Sequence, residues 1–174
     1  MTWADFNGDG NLDLYLNQHF ASSNKAAVII NNDGTLDNFV EINAGPDIRS
    51  RIALAVDWDH NGTIDIAKMG GYNNGDSIQI ILNNGNGLSW TDANLDYSYG
   101  SRLTGAAALD YDWDGAVDLI GFTSNGNAFV VENSNTVAEG TSLHLRILDQ
   151  NGINAFYGNT VQLFDSGGAL VSIQ

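Results

Sequence analysis

DFNGDGNLD at Asp5–Asp13, DWDHNGTID at Asp57–Asp65 and DYDWDGAVD at Asp110–Asp118 are one motif in three copies, spaced by 52 and 53 residues. Positions 1, 3 and 5 carry Asp5, Asn7 and Asp9 in the first copy, Asp57, Asp59 and Asn61 in the second, and Asp110, Asp112 and Asp114 in the third. Alternate side-chain oxygens converge only if the chain curls around a point. Position 6, where that curl is sharpest, is Gly10, Gly62 or Gly115, and glycine makes the bend without steric cost. Position 7 varies between Asn11, Thr63 and Ala116, as expected where only a backbone carbonyl is used, and position 9 returns to Asp13, Asp65 and Asp118. Such a ring offers hard oxygen ligands to Ca2+, which takes about six to eight of them. Three loops give up to three ions.

An EF-hand opens in the same way but needs a bidentate Glu at position 12 and a helix on either side. Position 12 here is Leu16, Lys68 or Gly121, so that reading fails. The flanks agree: ALAV and AAAL before the second and third loops, and DLYLN, DIAKM and DLIGF after the three, are short β-like runs. Each loop therefore joins two strands. Asp, Asn and Gly also form turns without any metal, but three copies in register, with Leu12, Ile64 and Val117 all at position 8, argue against coincidence. Asparagines at positions 3 or 5 lower the ligand charge of the first two loops, which ranks the third, with four aspartates, as the tightest site.

The repeat extends beyond the loop. Twenty-six residues after the first aspartate come Asn31, in AVIINNDGTLDNF, and Asn83, in IQIILNNGNGLSW. A strand, a glycine turn and an aromatic thus recur together, as in a small multistranded blade. In the third repeat the corresponding run, NAFVVENSN, reaches Asn133 only 23 residues after Asp110 and lacks the glycine turn.

With the loop, the hydrophobic strand and the NNDG or NNGNG element in place, residues 1 to about 135 resemble the FG-GAP/VCBS repeats of integrin-alpha-type β-propellers. The remainder resembles part of an ASPIC/UnbV segment, through a turn at Asn151, Gly152 and Ile153, a later Gly158, and a strand at Val161 to Leu163. It departs from that family's pattern at Asn154 to Tyr157. The expected fold is all-β: a partial propeller of about three blades (1–50, 51–102 and 103–138) with a C-terminal β segment at 139–174. The resemblance implies calcium ligation by Asp5, Asn7, Asp9 and Asp13 and their counterparts, and an extracellular or cell-surface address. Propellers close with about four to eight blades, so the remainder of a longer chain is expected to complete this one. The first loop begins four residues from Met1, and no strand of its own is expected before it.

Composition bounds the rest. Twenty glycines and the single Pro46 suit tight turns between short strands, and there is no cysteine to form a disulfide framework. No apolar run approaches the roughly 18 residues of a membrane span, and Met1-Thr2-Trp3 does not begin a signal peptide. A formal charge of −15 disfavours nucleic acid and anionic membranes. Ten of the 21 acidic residues are loop aspartates, so much of that charge is what calcium would offset.

Catalysis is not expected. His19, His60 and His144 share no spacing, no G-x-S-x-G or H-E-x-x-H occurs, and the paired carboxylates are already used as metal ligands. Trp58 and Trp113, at positions 2 and 4 of their loops, are expected to pack between blades, and His60 to be an exposed loop residue. Other aromatics (Trp3, Trp90, Tyr72, Tyr97, Tyr99, Tyr111, Tyr157) are likewise expected to pack, with Asp92–Arg102 as the best carbohydrate candidate. The leading function is a non-catalytic calcium-binding module for extracellular adhesion to a protein or glycan. The alternatives are a carbohydrate-binding or lyase-associated propeller with catalytic residues elsewhere, and a structural spacer.

Overall fold

The computed structural model describes residues 1–17, 26–44, 50–70, 77–95, 97–135, 162–164, 167 and 170–173. His19, Tyr72, His144, Tyr157 and the turn at Asn151–Ile153 lie outside them. The chain is all-β, and no helix occurs among the described residues. It divides into two compact units, Met1–Val137 and Ala138–Gln174.

Among the described residues the first unit holds three antiparallel sheets, each a meander. The first runs β1 (Thr2–Ala4), β2 (Asp13–Leu16), β3 (Ala27–Asn32), β4 (Thr35–Glu41). In the second, β5 (Ser50–Val56), β6 (Asp65–Gly70), β7 (Ser77–Asn83) and β8 (Trp90–Asp92) follow in order, and the short β9 (Tyr97–Ser98) also pairs with β7. The third consists of β10 (Leu103–Leu109), β11 (Asp118–Thr123) and β12 (Ala128–Val131). In the second unit, β13 (Gln162–Phe164) pairs antiparallel with β14 (Leu170–Ile173).

Each acidic loop connects the first two strands of its sheet, and the pairs Ala4↔Asp13, Val56↔Asp65 and Leu109↔Asp118 close the base of each loop. The first loop does have a strand before it, contrary to the sequence expectation. β1 is three residues long, too short for an alternating pattern, and pairing with β2 holds it in place.

The sheets stack through two apolar interfaces. Phe6, Tyr15, Val28 and Ile30 of the first sheet pack with Ile66 and Ile81 of the second. The opposite face of the second sheet contributes Trp58, Ala67, Met69, Ile78 and Ile80, and meets Leu103, Leu119 and Val131 of the third. A middle sheet covered on both sides has no solvent face. For that reason β6 is buried along its whole length and SIQIILN reads as a nearly continuous apolar run rather than a clean alternation. Each wholly buried isoleucine there contributes about 2 kcal/mol of hydrophobic stabilisation. Sheets stacked face to face in chain order, each a meander, are the blades of a partial β-propeller.

Candidate metal centre

The loops are held by their own side chains before any ion is considered. At position 1 one carboxylate oxygen accepts the position 6 glycine N–H: Gly10 to Asp5 at 2.8 Å, Gly62 to Asp57 at 3.0 Å, Gly115 to Asp110 at 3.0 Å. The other oxygen accepts an N–H from position 4 or 5, from Gly8 at 2.8 Å, Asn61 at 3.1 Å and Trp113 at 2.7 Å respectively. Position 5 accepts the position 7 N–H at 2.8 Å in all three copies, from Asn11, Thr63 and Ala116. Position 3 accepts the position 5 N–H at 3.0, 3.3 and 3.3 Å.

This curl requires a left-handed residue twice per loop. Position 6 has φ of +85° to +93° and is always glycine, while position 4 has φ of 76° at Gly8, 59° at His60 and 68° at Trp113. A bulky side chain in that region is strained. Trp113 is 73 % exposed and so does not pack between blades as expected. His60 is half-buried rather than exposed, with Nε2 covered and unpartnered among the described residues.

Position 9 has a second job that its spacing does not reveal. Asp13, Asp65 and Asp118 are all but fully buried, and both carboxylate oxygens of each accept backbone N–H groups. One comes from position 2 of the same loop, from Phe6 at 2.8 Å, Trp58 at 2.8 Å and Tyr111 at 3.1 Å. The other comes from Asn31 at 2.8 Å and Asn83 at 2.7 Å on the third strand of their sheets, and from Asn133, two residues past β12, at 2.8 Å. The recurrent asparagine is thus the strand-side partner of the buried aspartate. Its own amide turns back to the position 8 carbonyl: Leu12 at 3.0 Å, Ile64 at 3.1 Å, Val117 at 3.3 Å.

Burial raises the pKa of Asp65 to about 6, against the opposing hydrogen bonds from Asn83 and Trp58 and with further upward pressure from Asp59 and Asp57. Burial likewise raises Asp57 and Asp13. Asp9, at the open rim, is lowered by the Asn11 N–H.

Carboxylate oxygens of Asp57, Asp59 and Asp65 lie within 4.8 Å of one another, as do those of Asp110, Asp112 and Asp118. Oxygens bound to one Ca2+ at about 2.4 Å can be no more than roughly 5 Å apart, so both triads fit a single such ion. Each carboxylate oxygen has about two lone-pair directions, so accepting one N–H leaves one for a cation. In the first loop position 3 is Asn7, whose amide donates to Asp9 at 2.9 Å, and no carboxylate triad of that pattern forms. Asn61 similarly donates to Asp59 at 3.2 Å. Only the third loop has carboxylates at both positions 3 and 5.

The carbohydrate candidate forms part of a shallow cleft of about 630 Å3 lined by Tyr97, Tyr99, Thr123, Asn127 and Phe129 among others. Tyr99 stacks on Phe129 at 4.8 Å and Tyr97 lies 5.7 Å from the same ring, and both tyrosines are half-buried.

Blades of this construction, each with an acidic loop between its first two strands, define a β-propeller repeat. Residues 5–67 match the family model described as an FG-GAP-like repeat, a span that takes in the first blade from its loop and the second as far as β6. No curated protein and no solved structure gives a match to the chain.

Proposed function

We propose that this chain is a calcium-binding β-propeller repeat module that acts by binding a protein or glycan outside the cell rather than by catalysis. The observation that carries this reading is the gathering of Asp57, Asp59 and Asp65, and of Asp110, Asp112 and Asp118, into triads of the size one calcium ion spans. The residues that would hold the ions are Asp5, Asn7, Asp9 and Asp13, with Asp57, Asp59, Asn61 and Asp65, and Asp110, Asp112, Asp114 and Asp118. The backbone carbonyls of Asn11, Thr63 and Ala116 complete each ring. Calcium neutralises carboxylates that crowd one another and fixes loops that bind the first two strands of each blade. Such weak, oxygen-rich sites fill at the millimolar calcium of extracellular fluid, which supports an external address. Among the described residues no helix is long and apolar enough to cross a membrane.

Thermal melts in chelator and in millimolar calcium test the reading, because a ligand that binds only the folded state raises the midpoint. The midpoint should rise by several degrees in calcium and respond far less to equal magnesium. Identical midpoints would sink the assignment.

A further inference from the structure

An asparagine followed by glycine can react with its own backbone, because a residue without Cβ lets its nitrogen close on the preceding side-chain carbonyl carbon. The described residues include Asn7–Gly8, Asn61–Gly62, Asn84–Gly85, Asn86–Gly87 and Asn125–Gly126. What the glycine N–H donates to divides them. Gly85 and Gly87 donate to the Asn83 amide oxygen at 3.1 and 3.0 Å, and Gly126 to the Thr123 carbonyl at 3.0 Å; none of these acceptors takes a proton near neutral pH. Gly8 and Gly62 donate to carboxylates, Asp5 at 2.8 Å and Asp57 at 3.0 Å. A carboxylate on that N–H is placed as a general base.

Asn61 adds an activated carbonyl. Its Oδ1 accepts the Thr63 N–H at 2.8 Å, and the Thr63 hydroxyl lies 2.5 Å from it, nearer than the 3.0 Å to its other acceptor, the Asn83 carbonyl. Its Nδ2, the leaving group, sits against Asp59 at 3.2 Å. Asn7 has the base but a weaker carbonyl contact, with Oδ1 accepting the Asp9 N–H at 3.0 Å. Asn61 and Gly62 are both exposed, so water reaches the pair.

We propose that Asn61–Gly62 is a self-modifying site, at which the calcium-free loop converts Asn61 to aspartate through a cyclic imide. The Gly62 nitrogen bonds to Asn61 Cγ as its proton passes to the Asp57 carboxylate. The Thr63 donors stabilise the negative charge that develops on Oδ1. The Cγ–Nδ2 bond then breaks, and Nδ2 leaves as ammonia with the proton that Asp57 took. Water opens the imide at Cγ to leave aspartate at position 61, or at the Asn61 backbone carbonyl to leave isoaspartate. The net reaction consumes a water and releases an ammonia.

The consequence for the ion rests on the reading of these loops as calcium sites. Aspartate at position 61 gives the second loop the carboxylates at positions 1, 3, 5 and 9 that the third has in Asp110, Asp112, Asp114 and Asp118, and added ligand charge tightens a calcium site. Isoaspartate instead threads Cβ into the main chain directly before Gly62, where φ is +85°, and lengthens the loop at its sharpest bend.

The test is peptide mass spectrometry on the whole chain, aged in chelator at neutral pH, reading the mass gain of amide-to-acid conversion at each Asn-Gly pair. Asn61 should convert at least about tenfold faster than Asn84, Asn86 and Asn125. In guanidinium that advantage should vanish, because only the folded loop brings Asp57 and Thr63 to the pair. Asp57→Asn keeps an oxygen for the Gly62 N–H but takes no proton, and should slow Asn61 at least about tenfold; Thr63→Val should slow it several-fold, each variant being checked as folded by circular dichroism. Equal rates at all sites in the folded wild type overturn the proposal, as does an Asn61 preference that persists in guanidinium or a folded Asp57→Asn chain that converts as fast as wild type. By calorimetry, Asn61→Asp should bind calcium about tenfold more tightly than wild type at one site. Absence of calcium binding by either chain refutes the calcium reading and leaves the conversion, measured in chelator, standing on its own.

Discussion

The inner and outer halves of each acidic loop use the same residue type for opposite ends. At the inner end, Asp13, Asp65 and Asp118 are buried and spend both oxygens on backbone N–H groups from two different segments. At the outer rim Asn7, Asp59, Asp112 and Asp114 stand in solvent or at its edge and bond within their own loop. A buried carboxylate deprived of its partners costs far more than an exposed one. Removing an inner aspartate should therefore damage the fold, and removing a rim aspartate should damage only ion binding.

The widest separation is expected between Asp65→Ala and Asp59→Ala. The first strands the Trp58 and Asn83 N–H groups in the core and should destabilise by about 3 kcal/mol even in chelator. The second should leave the chelator denaturation curve where it was and lose one calcium equivalent by calorimetry. Equal losses in chelator would erase the distinction between the two halves.

A change of pH should separate them next. Burial holds the Asp65 pKa at about 6 against an ordinary 3.8, so the calcium-free fold retains a proton there that the unfolded chain has released. That contribution is fully present below 3.8 and is lost as pH rises through about 6. Calcium competes with the same proton. The calcium-induced rise in melting temperature should accordingly shrink as pH falls from 7 through 6, and a rise that is flat across that window counts against Asp65 as a ligand.

The smallest effect is expected at the rim, where Trp113 adopts φ of 68°. Trp113→Gly relieves the left-handed strain, offset in part by the greater freedom of glycine when unfolded, and should stabilise by about 1 kcal/mol or less in chelator. Gly8 already occupies that position in the first loop. A loss of stability would show that the contacts of the indole outweigh the backbone strain.

Much of the fold was legible because its signals are local. The period-52 recurrence, the position 6 glycines and the absence of Glu at position 12 placed the loops between strands, and the three sheets follow that plan. β1 escaped notice because three residues carry no periodicity. Trp58 and Trp113 looked equivalent in sequence, yet one lies on the boundary with the next blade and the other on a left-handed turn in solvent. Asn31 and Asn83 marked the repeat, but their bonds to Asp13 and Asp65 span 18 residues, and that from Asn83 to Phe6 spans 77. No local pattern encodes such contacts.

The sequence by itself determined the ring of oxygens, because each acidic loop is nine contiguous residues whose curl depends on glycine and on side chains two to five positions away. Tertiary structure alone decided which aspartates became buried staples and which aromatic plugs a neighbouring blade. Those outcomes depend on the stacking of one sheet on the next, and burial of a charge is set by everything packed around it rather than by its neighbours along the chain.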